Sequence, residues 1–122
     1  MSDVVMPSGL SARGQTFWEA VTSDYELSVS ELELLVEVCR SLTQLDALAA
    51  AVEHDGIMIE GSMGQLRPHP AISQANATRG VLSRLLGQLA LPDPDGESVP
   101  SPESVRARRA GTARWAGHVR PA

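Results

Sequence analysis

With 122 residues, 43% of them hydrophobic and 20% charged, the chain has the size and composition of one compact domain with a modest core, which favours neither a wholly disordered nor a membrane-embedded protein. No apolar run approaches the ~20 residues a bilayer-spanning helix needs, the first residues have neither the basic nor the apolar segment of an export signal, and the single cysteine, Cys39, provides neither a disulfide nor a thiol-rich zinc site, so a reducing cytosol is expected. The formal charge of −5 conceals a division: all fifteen acids lie at or before Glu103, whereas residues 104–122 carry five arginines and no acid, and lysine is absent throughout.

Residues 1–9, with Pro7 and Gly9, read as a flexible arm. Leu10, Phe17, Trp18 and Val21 fall near the i, i+3, i+4, i+7 pattern with Gly14 on the same face, which predicts a short helix over about 11–22. Residues 23–27 form a loop pinned by Tyr25 and Leu27. Either Ser28 or Ser30 can cap the next helix, each followed three residues later by a glutamate, Glu31 or Glu33. Leu35, Val38, Leu42, Leu45, Ala49 and Val52 then occupy successive a and d positions of a heptad, on a helix that runs to about Asp55 and stops at Gly56. Leu32, Leu34, Cys39 and Leu48 widen that seam beyond one partner helix, so more than one neighbour is implied. Residues 57–60 and 65–67 flank a glycine-containing turn and suggest a small β-hairpin. Pro70 suits the first position of a third helix. Ala71, Ala75, Thr78, Leu82, Leu85 and Leu89 form its stripe, Ile72, Val81 and Leu86 flank it, and it ends near Leu91.

The expected fold is therefore mainly α. An antiparallel hairpin of two long helices carries a short N-terminal helix, a small β-hairpin between the long helices and a flexible C-terminal tail. The expected organisation is a flexible arm over 1–9, a helical oligomerisation core over 10–91, a proline-rich acidic linker over 92–103 and a basic tail over 104–122.

No catalytic constellation emerges. Glu53, His54 and Asp55 are sequence neighbours whose side chains point about 100° apart on a helix, so they read as an exposed helix end and not as a metal site. His69 lies between two prolines and reads as a cap or turn residue, His118 reads as a tail residue with no partner visible in the sequence, and Cys39 reads as a buried small hydrophobe. The turn over 61–64 lacks the lysine and following helix of a phosphate-binding loop. No cofactor and no metal are expected.

The basic tail is the strongest binding signal. Arg106, Arg108, Arg109 and Arg114, beside Trp115, suit phosphate contacts with an indole free to stack. The same segment can instead remain solvated, fold back on the acidic body or enter an acidic groove on a partner protein. Arg79 and Arg84, on a helix without acids, are a second DNA-contact set, or else pair with Glu31, Glu33, Glu37, Asp46 or Glu53. The surplus of apolar side chains marks Leu32, Leu34, Leu35, Leu42, Leu45, Leu48, Leu82 and Leu86 for oligomerisation, since side-by-side copies related by a rotation close into a ring. The alternative is that the first helix and the hairpin cover this band within one chain.

The order of several short runs resembles the phage terminase small subunit family, in the branch common among tailed phages and prophages of high-GC bacteria. These runs are Phe17-Trp18-Glu19, Tyr25-Glu26-Leu27, Glu31 with Leu34, Leu35, Cys39 and Arg40, Leu45-Asp46, Gly56, and His69-Pro70 before the last helix. Leu89-Ala90-Leu91-Pro92-Asp93, Arg106-Ala107-Arg108-Arg109-Ala110 and Arg114-Trp115 extend it, so it covers roughly residues 10–115. The resemblance implies a non-catalytic, ring-forming protein of the host bacterial cytoplasm with no membrane partner. Such a protein binds viral double-stranded DNA and presents it to a large terminase subunit that holds the ATPase and nuclease. It also implies that the C-terminal segment can dock on that large subunit. Where many relatives carry an N-terminal helix-turn-helix, the single short helix here leaves no room for one. The competing expectation is a helical adapter that contacts only proteins.

Overall fold

A computed structural model describes residues 4–92; the expected linker over 92–103, apart from Pro92, and the expected tail over 104–122 lie outside the described residues. Three helices and one small hairpin follow in chain order: α1 (Ala12–Asp24), α2 (Val29–Asp55), β1 (Met58–Glu60), β2 (Leu66–Pro68) and α3 (Pro70–Leu89). The mainly helical fold with an intervening two-stranded antiparallel hairpin agrees with the sequence expectation. None of the described helices is long and apolar enough to cross a membrane.

Each helix begins where a side chain can satisfy its first amides. Ser11 Oγ accepts from the Gly14 N–H at 3.2 Å. Of the two candidate caps before α2, Ser28 is the one used: its Oγ accepts from the Glu31 N–H, and Glu31 Oε1 accepts from the Ser28 N–H at 2.8 Å, completing a reciprocal box. The other carboxylate oxygen of Glu31 is buried with no hydrogen-bond partner among the described residues. Gly56 ends α2 at φ 91, a left-handed conformation that a Cβ would strain. At α3 the cap is His69 with Pro70 at N1, and the helix stops two residues earlier than expected, with Ala90 at φ 45.

The long helices run antiparallel. Asp55 at the end of α2 meets His69 at the start of α3, Gln44 Oε1 accepts from the Thr78 hydroxyl midway, and Leu89 packs with Leu35 at the far end. The helix α1 lies back along the N-terminal two-thirds of α2. Its start is fixed by Ser11 Oγ donating to Asp46 Oδ2 at 2.7 Å, by an Arg13–Asp46 ion pair at 2.8 Å and by the Ser11 N–H donating to Thr43 Oγ1. Gly14 permits this approach, because a Cβ there would stand 2.9 Å from Thr43 Oγ1 and 3.1 Å from the Cys39 carbonyl oxygen.

The main core sits where all three helices overlap and gathers Leu10, Trp18, Val21, Leu35, Val38, Cys39, Leu42 and Leu89. Tyr25 and Leu27 pack against it from the α1–α2 loop, and the Tyr25 hydroxyl donates to the Pro92 carbonyl, tying the end of the described chain to that loop. Toward the hairpin, α2 and α3 continue without α1, and their contact is made through smaller residues such as Ala71 and Ala75.

Candidate functional site

Three surfaces converge near the turn between the long helices. The first is a polar staple. Asp55 Oδ1 lies 2.8 Å from His54 Nδ1, and Asp55 Oδ2 lies 2.8 Å from His69 Nε2. Because His69 Nδ1 accepts from the Ala71 N–H at 3.0 Å, that nitrogen is unprotonated and Nε2 carries the proton it donates to Asp55. His69 thus caps α3 with one nitrogen and clasps α2 with the other. The His69 N–H also donates to the Ile57 carbonyl at 2.7 Å, closing the base of the hairpin.

Hydrogen bonds from His54 and then His69 hold the Asp55 carboxyl below its ordinary range. A depressed folded-state value means that the staple's contribution is present above the ordinary carboxylate value and is lost as pH falls through the folded one. The thermal midpoint of the wild type is expected to drop more than that of Asp55→Asn between about pH 5 and about pH 3. Parallel curves would show that the staple adds nothing.

The second surface is an open groove of about 340 Å³ between the α1-free end of α2 and the start of α3. Leu45, Leu48, Ala49, Val52, Ala71, Ile72 and Ala75 line it, with Glu53 on the α2 lip and Arg79 on the α3 lip.

The third surface is the hairpin. Its register pairs Met58 with Pro68, Ile59 with Arg67 and Glu60 with Leu66. Side chains opposite one another share a face, so Met58, Glu60, Leu66 and Pro68 form one face and Ile59 and Arg67 the other. Leu66 is 71% exposed and Met63 at the turn 89% exposed, while Ile59 is half-buried. The Met58–Leu66 face is therefore the one turned away from the body.

These surfaces receive the sequence-chosen residues unevenly. Leu35 and Leu42, expected at an intermolecular contact, lie in the three-helix core of the single chain at 0% and 9% exposure, because α1 and α3 together cover that part of the band, while Leu45, 8% exposed, lines the groove. Leu32, Leu34 and Leu82 are half-buried against the same core. Leu48 is on the groove wall, and Leu86 is exposed on α3.

Arg79 and Arg84 do not form one patch: five residues apart on a helix, they point about 140° apart. Neither joins an ion pair among the described residues, against the alternative expectation. Asp46 is engaged by Arg13, Glu31 closes the cap of α2, and Arg79 donates to Asn76 Oδ1 at 3.0 Å. Arg106, Arg108, Arg109 and Arg114 lie outside the described residues. The exposed hairpin apolars Met58, Met63 and Leu66 were not marked by the sequence, since a three-residue strand has too few positions for alternation to reveal an outward face.

The titratable groups offer little for covalent chemistry. Cys39 is fully buried, and burial pushes its thiol up to about 11, so almost no thiolate is present at neutral pH. Both ring nitrogens of His69 are engaged, and among the described residues no group of three or more His, Cys, Asp or Glu side chains is placed to hold a metal ion.

Fold and surfaces together define a small helical-hairpin protein whose prominent features are contact surfaces. The family model of the phage terminase small subunit matches residues 15–99, more than half of the chain, and the chain belongs to that family, with a role in phage DNA packaging. The match takes in all of α2, the hairpin and α3 and ends before the arginine-rich segment over 104–122. No curated protein and no solved structure matches the chain.

Proposed function

We propose that the chain binds viral double-stranded DNA, assembles as a homo-oligomeric ring, and regulates or recruits the large terminase subunit that holds the ATPase and nuclease, performing no covalent step itself. Family membership supports the packaging role. The DNA step rests on one observation, the segregation of charge along the chain. Residues 4–92 hold ten acids and five arginines, whereas residues 104–122 hold five arginines and no acid. A net-negative body is repelled by phosphate, so attraction must come from the tail.

Arg106, Arg108, Arg109 and Arg114 take the phosphates, and Trp115 is available to stack. On α3, which carries no acid, Arg84 and Arg79 are the second set, and because they point about 140° apart only one of them can face a ring channel. A ring multiplies a weak tail by raising the effective concentration of its neighbours. Sequence preference then comes from a few base contacts or from DNA deformability.

With Arg120 engaged as well, the five charges of the tail predict a slope of about −4.5 in log K against log salt on duplex DNA. Deleting residues 104–122 is expected to remove most of that slope and sharply weaken binding in a low-salt mobility-shift assay, with the oligomer unchanged in sedimentation. Binding that survives the deletion undiminished rules out the tail. Absence of DNA affinity in the full chain at any salt favours the adapter that contacts only proteins.

A further inference from the structure

We infer that the outer face of the β1–β2 hairpin of one copy docks into the α2–α3 groove of a second copy. This rests on the ring proposed above and specifies which surfaces meet. The hairpin presents Met58 and Leu66 on one face and Met63 at the turn, all exposed. An isolated two-stranded hairpin is marginal in water and requires packing on a face to persist. The groove supplies the complementary shape, an apolar trough of about 340 Å³ walled by Leu48, Val52, Ile72 and alanines. A hairpin cannot fill the groove of its own chain, because the half-buried Ile59 marks the inward face and the Met58–Leu66 face is turned away from the body. The occupant is therefore a second copy.

Charge specifies the orientation. Glu60 stands between Met58 and Pro68 on one side and Leu66 on the other, on the docking face, and has no ion pair among the described residues. Arg79 on the α3 lip likewise has none, and Glu53 occupies the α2 lip. Glu60 is attracted to the α3 lip and repelled by the α2 lip, so the two lips accept the hairpin in one direction only. Knob and groove are different surfaces of the same chain, so each docked copy still offers one of each. Such a head-to-tail contact propagates and closes when the rotation per copy allows. Arg79 is thereby assigned to a protein contact, which leaves Arg84 free for DNA.

The test is sedimentation of the full chain across a concentration series, without DNA. Leu66→Asp is expected to weaken assembly at least about tenfold, with an unchanged thermal midpoint for the dissociated protein because Leu66 is 71% exposed. Glu60→Arg and Arg79→Glu should each weaken assembly by a similar factor, and the double variant E60R/R79E should recover to within about threefold of wild type, since each interface then carries the swapped pair. A wild type that assembles while all three single variants assemble equally well overturns the hairpin-in-groove contact and leaves the ring intact. A double variant no better than either single variant overturns the Glu60–Arg79 pairing. A wild type that stays monomeric at every concentration overturns the ring itself.

Discussion

Replacing Gly14 with alanine is expected to destabilise the protein by about 1–3 kcal/mol, although alanine is the better helix former by about 1 kcal/mol. The added Cβ would lie 2.9 Å from Thr43 Oγ1 and 3.1 Å from the carbonyl oxygen of Cys39. Neither can retreat easily. The Thr43 hydroxyl accepts from the Ser11 N–H and donates to the Cys39 carbonyl, each at 2.9 Å, and that carbonyl belongs to the backbone of α2. The helix α1 must therefore move outward, which lengthens the Ser11–Asp46 hydrogen bond and the Arg13–Asp46 ion pair that fix its start. Urea denaturation reads the loss directly. Thr43→Ala in the Gly14→Ala background removes the nearest clashing atom and should restore part of the stability, so the two substitutions are less costly together than their sum. A stabilising Gly14→Ala would mean that helix propensity outweighs contact and that α1 does not dock this closely.

The elements were legible because their signals are local. Ser28 with Glu31, Gly56, and His69 with Pro70 each mark a boundary through groups within three residues, and each boundary falls within a residue or two of its expected position. The choice between Ser28 and Ser30 required the structure, since both present a hydroxyl three residues before a glutamate. What the sequence could not display depends on groups brought together across the turn. Asp55 and His69 are fourteen residues apart and joined by a hairpin, so no periodicity links them. The length of α1 relative to α2 was decisive for the leucines. The same heptad stripe is interior where α1 overlaps it, at Leu35 and Leu42, and becomes a groove wall beyond that overlap. A stripe reveals that a face is apolar, whereas what covers it depends on where the neighbouring helix stops.

That asymmetry gives the two ends of the hairpin different sensitivities. Leu35→Ala is expected to cost about 3–5 kcal/mol, because the side chain is fully buried among α1, α2 and α3 and the surrounding Trp18, Val38 and Leu89 cannot all close over the void. For a domain of this size, with total stability of about 5–15 kcal/mol, the midpoint should fall by roughly 12–30 °C. Leu48→Ala, on the wall of an already open groove, should cost under about 1 kcal/mol in the dissociated chain, because there is little packing to lose. Its effect belongs to assembly instead: removing a groove-lining side chain should weaken self-association while the fold persists. Equal losses of stability at Leu35 and Leu48 would mean that the groove is closed in the single chain and that the α1-free end is not held open for a neighbour.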